Sequence, residues 1–155
     1  MRNDIYCSDL LEELKEQAIK ASTFARVIPG SIAIGAAVLA KNNKIYKGCY
    51  YPGSTGYTTV HAEHAALINA VSNGATEILR LAIFANTETL KEPPIPCGSC
   101  LQAITDVVTN GNFEILSSCI SSYPHWIVYS ISDLLPIPWR HPNKINLFED
   151  HSETK

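Results

Sequence analysis

Residues 61–64 read HAEH and residues 96–102 read PCGSCLQ. Together they offer an imidazole, a carboxylate and two thiols, the side chains from which a catalytic zinc centre can be assembled. In a C-x-x-C turn both sulfurs can face one ion, and His61, brought in from another element, supplies a third ligand beside Cys97 and Cys100. A fourth position then stays open for water, which is the catalytic arrangement, whereas a structural site closes with a fourth side chain. Glu63 follows His61 by two residues. On the first turn of a helix that offset brings its carboxylate toward the open position without making it a ligand, so it can shuttle protons. Zinc lowers the pKa of a bound water, so the pair could add hydroxide to carbon and expel ammonia. Taken alone, a C-x-x-C also fits a structural zinc knuckle or thiol redox chemistry, and a lone H-x-E is weaker still. The two together, with Pro96 in front and a strand between, are far more specific.

The pattern around these motifs says what must position them. DLLEELKEQAIKASTFA begins with Asp9 and Glu12 in capping-box spacing, and Leu10, Leu14, Ala18, Ala21 and Ala25 fall near one helical face. This predicts a first helix ended by Pro29 and Gly30. IAIGAAVLA and KIYKGCY, separated by Asn42 and Asn43, read as two strands joined by a tight turn. PGSTGYTT, residues 52–59, is a loop of turn formers, and a second helix runs from about residue 61 to the Asn73-Gly74 stop signal. ILRLAIFA is almost continuously apolar, as a central strand covered on both faces would be. After the breaker KEPPIP, Ile104, Val107 and Val108 mark one side of a third helix starting at Gly98, and FEILSS and HWIVYS read as two more strands. That alternation predicts an α/β fold, a sheet with helices on its faces. His61 and the two cysteines would each open a helix, where partial positive charge is expected to lower thiol pKa values.

Composition narrows the class. The chain has 155 residues, 46% hydrophobic and 17% charged, the profile of one globular domain with a core spanning about 8–140 and a polar tail from about Pro142 to Lys155. A net charge of −3, with 12 Lys and Arg spread along the chain, gives no basic groove for a polynucleotide. The acidic start lacks the layout of a secretory signal, and no apolar run approaches the roughly 20 residues that span a bilayer, so a cytoplasmic protein is expected. The odd number of cysteines does not suggest a disulfide framework. Cys7 and Cys119 have no obvious partner, and Cys49 reads as a small buried hydrophobe in a strand.

H-x-E followed by P-C-x-x-C is the signature of the zinc deaminases. More narrowly, AIGAAVLAKNNKIYKGC, HAEHAAL, PCGSCLQ and DLLP resemble the small cytidine deaminases, which include the blasticidin S deaminases; the resemblance spans about residues 30–139. It implies a three-layer fold with a mixed five-stranded sheet and helices on both faces. It also implies one zinc per subunit and a homo-oligomer, most often a tetramer, acting on a small nucleoside or base. By the same resemblance His61, Cys97 and Cys100 are the ligands, Glu63 is the proton shuttle, and Ile32, Tyr50, Ala62 and Pro96 are expected to contact substrate.

Departures from the family bear on substrate. Many members use three cysteines and follow the glutamate with an Arg; here one neutral His and two thiolates neutralise Zn2+, and His64 stands in place of the Arg. Where the family holds the ribose with an Asn and a Glu, this chain has Tyr50 and Pro52; Ile32 replaces a Phe and Leu101 an Arg before Gln102. Ordinary cytidine is therefore not the expected best substrate, and blasticidin-type or other modified cytosine nucleosides, or a free base, are candidates. Tyr50, Tyr51 and Tyr57 could stack on a flat heterocycle or serve packing. His64 is a candidate contact or an ordinary helix histidine, and His125 and His141 lie away from the motifs. The competing class is a zinc-containing binding protein without turnover, against which the retained Glu63 speaks.

Overall fold

The computed structural model describes residues 2–108 and 113–139, with side chains from Ser8 onward. The expected tail from Pro142, His141 and the side chain of Cys7 lie outside the described residues.

A strand buried on both faces must alternate its contacts between two cores, and the sheet does so. β1 (Ile34–Ala40) sends Ala36, Val38 and Ala40 into one core and Ala37 and Leu39 into the other. β3 (Ile78–Ala85), predicted residue for residue, divides Leu81 and Ile83 from Ala82 and Phe84 in the same way. With β2 (Ile45–Cys49), β4 (Glu114–Cys119) and β5 (Ile127–Ser130) they form one sheet in the order β2-β1-β3-β4-β5. β3 is central; it runs antiparallel to β1 and parallel to β4, so the sheet is mixed. Cys49 in β2 is half-buried, less enclosed than its sequence context predicts.

α1 (Arg2–Ser22) covers one face through Leu14 and Ala18, which pack against Ala37, Leu39 and Phe84. The other face carries α2 (Ala62–Ser72) and α3 (Gly98–Val107), whose Ala66, Leu67, Leu101 and Ile104 join the core with Val38 and Ile83. The result is three layers, helix, sheet, helix. Two glycines permit the close packing. A Cβ on Gly35 would strike the backbone of α1 at Ser22 and Ala18, and one on Gly48 would strike the backbone of α2 at Ala65 and Ala66.

Two expectations about boundaries are corrected. α1 begins at Arg2, so Asp9 is not its N-cap. RNDIYCS contains no Gly or Pro, and extending a helix costs far less than starting one. Glu12, freed from a capping role, pairs with Lys15 at 2.6 Å. The helix also stops at Ser22, before Ala25 and well before Pro29, where the hydroxyls of Ser22 and Thr23 donate back to the carbonyls of Ile19 and Lys20. Pro29 and Gly30 instead form a separate turn: Ser31 N–H donates to Ile28 O at 2.9 Å, with Gly30 at φ +87°. Asp133 and Leu134 of DLLP lie in a further short helix, α4 (Ile131–Leu134), that the strand and helix pattern did not predict.

Candidate metal centre and substrate cavity

Both site-bearing helices start where their residues predict. His61 is the N-cap of α2 and Cys97 the N-cap of α3; each has extended backbone, and neither spends its side chain on capping. The carbonyls of His61 and Cys97 accept the first helical bonds, from Ala65 and Leu101 at 3.0 and 2.9 Å. The side chains are thereby left to point between the two helix starts. The start of α2 is fixed by a two-residue bridge, in which Tyr51 and Val60 exchange N–H···O bonds of 2.9 Å. The bridge places their neighbours Tyr50 and His61 side by side, with ring centroids 6.4 Å apart.

Nδ1 of His61 lies 3.4 Å from Cys97 Sγ and 3.3 Å from Cys100 Sγ, and the two sulfurs are 3.6 Å apart. Zinc bonded at about 2.3 Å to sulfur and about 2.0–2.1 Å to nitrogen, in tetrahedral geometry, sets its ligands about 3.6–3.8 Å apart. The trio fits such an ion with adjustments of a few tenths of an ångström. A 3.6 Å separation is also far beyond a disulfide bond, so both thiols are free. Among the described residues this is the group of His, Cys, Asp or Glu side chains whose donor atoms converge.

Glu63 sits in the first turn of α2, facing the helix's positive end, and only 5% of it is exposed. A buried carboxylate is costly without a compensating charge. Among the described residues no Lys or Arg pairs with it, so a cation at the donor trio is the charge that fits.

One sequence expectation fails here. Helix N-termini were expected to lower the thiol pKa, but burial, followed by the charge of the Glu63 carboxylate, pushes the Cys100 thiol well up. In the metal-free protein this thiol keeps its proton, and an entering cation must displace it. Zinc affinity is therefore expected to fall by about tenfold or more per unit as pH drops from about 8 to 6, one factor for each proton released. Competition with a chromophoric chelator measures this; an affinity independent of pH would mean that the thiol is already ionised.

A cavity of about 260 Å³ opens beside the trio, lined by His61, Cys97 and Glu63. All four residues expected to contact substrate, Ile32, Tyr50, Ala62 and Pro96, line it as well. Others do not. Pro52 is absent from the lining, Tyr51 and Tyr57 are exposed, and His64 turns toward a groove between α2 and α3, its ring stacked against His61 with centroids 6.4 Å apart. His125 lies in the β4–β5 connection. Gln102 holds the chain at Trp139, accepting from its N–H and donating to its carbonyl at 2.9 and 3.0 Å.

Sequence reasoning missed six lining residues: Gly30, Ser31, Ile34, Ile83, Pro94 and Ile95. Ile34 and Ile83 share a face of neighbouring strands, a placement the alternation already contained. Pro94 and Ile95 belong to KEPPIP, which reads as a mere breaker; the buried Ser117 hydroxyl, donating to Pro94 O at 2.6 Å, ties that loop to β4.

A three-layer fold that brings an imidazole and two thiols to one point, with a buried carboxylate alongside, is the architecture of the zinc-dependent deaminases. Residues 8–111 match the family model "Cytidine and deoxycytidylate deaminase zinc-binding region". The cytidine deaminase of Sporosarcina psychrophila is 36% identical over 105 residues, 68% of this chain and 74% of that protein. That of Halalkalibacterium halodurans is 32% identical over 94 residues, covering 61% and 69%. Among solved structures, cytidine deaminase from Burkholderia pseudomallei superimposes with a TM-score of 0.72 at 25% identity, covering 83% of this chain and 98% of that one. The enzyme from Mycobacterium tuberculosis, at 24% identity, TM-score 0.67 and coverage of 84% and 98%, shares the fold. The chain belongs to the cytidine and deoxycytidylate deaminase family, whose members are zinc-dependent hydrolases of C–N bonds.

Proposed function

We propose that this chain deaminates the cytosine ring of a nucleoside by hydrolysis, with His61, Cys97 and Cys100 holding zinc and Glu63 carrying the protons. The observation that carries this reading is the convergence of three donor atoms 3.3–3.6 Å apart beside a buried carboxylate, at one wall of a cavity of about 260 Å³. When bound, zinc supplies the Lewis acidity that makes water a nucleophile near neutral pH. The Glu63 carboxylate takes a proton from the attacking water and returns it to the ring nitrogen; it then takes the second proton from the added hydroxyl and delivers it to the amine as the C–N bond breaks, so ammonia leaves and a carbonyl replaces it. Ile32, Tyr50, Ala62 and Pro96 hold the flat ring with its amine-bearing carbon toward His61, and the apolar wall keeps bulk water from the reacting atoms.

The same reading makes the chain one domain, active in the cytoplasm on a small molecule and not on nucleic acid. Supporting this are the net charge of −3 and the fact that no helix among the described residues is long and apolar enough to cross a membrane. It assembles as a homo-oligomer, most readily a tetramer; the exposed Ile68 and Val71 of α2 support an interface there. Light scattering on the zinc-loaded protein is expected to give a multiple of the chain mass, and a monomer at micromolar concentration would remove this part of the reading.

The function is tested by ammonia release from cytidine. Zinc-loaded protein is expected to release it, chelated protein to release none, and zinc readdition to restore the rate. Release unaffected by chelation would refute the metal's part in the reaction.

A further inference from the structure

We propose that Ser117 is a positioning residue for the metal centre, fixing where Cys97 stands through a stiff, proline-rich stretch of chain; the inference rests on the metal part of the reading above. Every residue from Glu92 to Pro96 is a proline or stands directly before one. Proline locks its own φ near about −65°, and its ring holds the preceding residue in extended conformations. Few torsions are left to absorb a displacement. A shift at Pro94 is therefore passed along to Cys97, which follows Pro96 directly.

Ser117 grips this stretch at Pro94. Its hydroxyl donates to Pro94 O at 2.6 Å, toward the short end of the range for such bonds. The side chain is fully buried on an apolar face of the sheet: Ser117 pairs in register with Ile83 of β3, and Ile115 precedes it by two residues on β4. A hydroxyl among isoleucines is costly unless it is bonded, and here its proton goes to the loop. Cys97 then caps α3 with its sulfur 3.4 Å from Nδ1 of His61. With Pro94 held, Cys97 waits at that place before the metal arrives. With Pro94 released, zinc must order this end of the loop as it binds, and binding weakens. Both features lie within one chain. A neighbouring subunit gives proline no extra torsional freedom, and it does not reach a fully buried hydroxyl.

The test is zinc affinity, measured by competition with a chromophoric chelator, beside the thermal midpoint of each metal-free protein. Ser118→Ala is the control: Ser118 is equally buried, is the next residue of β4 and so faces the opposite layer, and donates to His125 O at 2.7 Å in the β4–β5 connection. Groups that support a ligand directly are worth about 10–100-fold in metal affinity, so at one remove Ser117→Ala is expected to weaken zinc binding by about three- to tenfold. Ser118→Ala should lower the midpoint to a similar degree, since each loses one buried hydrogen bond, and keep zinc affinity within about threefold of wild type. Zinc affinity of Ser117→Ala inside that margin, or an equal loss in Ser118→Ala, would leave Ser117 an ordinary structural residue and overturn the proposal. Pro96→Ala loosens the same link from the other end and is expected to weaken zinc on the same scale. Adding Ser117→Ala to it should then cost less than about threefold more, because the anchor no longer reaches Cys97. Effects that multiply in full would show two independent residues, and the proposal falls. Wild type that takes up no zinc would refute the metal part of the deaminase reading and this proposal with it.

Discussion

Glu63→Gln is expected to bind zinc at the wild-type level and to lose turnover by at least about 10²–10⁴-fold, the range that a positioned acid–base group contributes. Glutamine keeps the size and burial of the side chain, so the wall of the cavity and the donor trio should stay in place. It cannot accept a proton from water, and the reaction needs that acceptance before the amine can be made a leaving group. Glu63 is also a carboxylate that is only 5% exposed. Removing its charge relieves a buried anion in the metal-free protein, so the thermal midpoint of that form should hold or rise. Metal analysis, thermal unfolding and initial rates on the same preparation separate these effects. Zinc retained with activity within about tenfold of wild type would remove Glu63 from the proton path.

Cys100→Ala carries the second large effect, on the metal. Even groups that only support a ligand cost about 10–100-fold in affinity when lost, so removing a ligand should exceed about 100-fold. Cys100 is fully buried, yet the substitution deletes one sulfur and leaves a good helix former, so the metal-free protein should lose only about 1 kcal/mol. The loss appears when zinc is present. At a thousand times the wild-type Kd, the metal should stabilise wild type by about 4 kcal/mol and a hundredfold weaker variant by about 1.4 kcal/mol. Cys119→Ala is the control, since Cys119 is equally buried in β4 but outside the donor trio. It should lower stability in both forms alike and keep the zinc increment. Equal zinc stabilisation of wild type and Cys100→Ala would disprove ligation by Cys100.

The layers and the convergence of His61, Cys97 and Cys100 were legible in the sequence because each depends on local pattern. ILRLAIFA is apolar on both faces because β3 is central, and the Asn73-Gly74 stop ends α2, with Gly74 at φ +79°. The trio could be found because each member sits at, or one turn beyond, the start of a helix, behind a loop that the sequence marks. What the sequence concealed is non-local. The raised pKa of Cys100 reflects burial and a carboxylate from a different helix, whereas the expectation of a lowered value considered only its own helix end. KEPPIP and the Pro29-Gly30 turn look like punctuation, and only the fold brings Pro94, Ile95 and Ser31 to one cavity. The start of α1 was misplaced for a different reason: Asp9 and Glu12 have capping spacing, but spacing does not stop a helix that nothing before it interrupts. Among the three tyrosines near the loop, only Tyr50 reaches the cavity, because the Tyr51–Val60 bridge sets it against His61 while Tyr57 sits on an outward turn.

Turnover of cytidine in heavy-oxygen water, followed by mass spectrometry of the product, tests hydrolytic deamination most directly. The expected product carries one solvent oxygen at the former amine position, with one ammonia released for each molecule converted. Zinc-loaded protein that leaves cytidine unchanged, or a product without solvent oxygen, would contradict it.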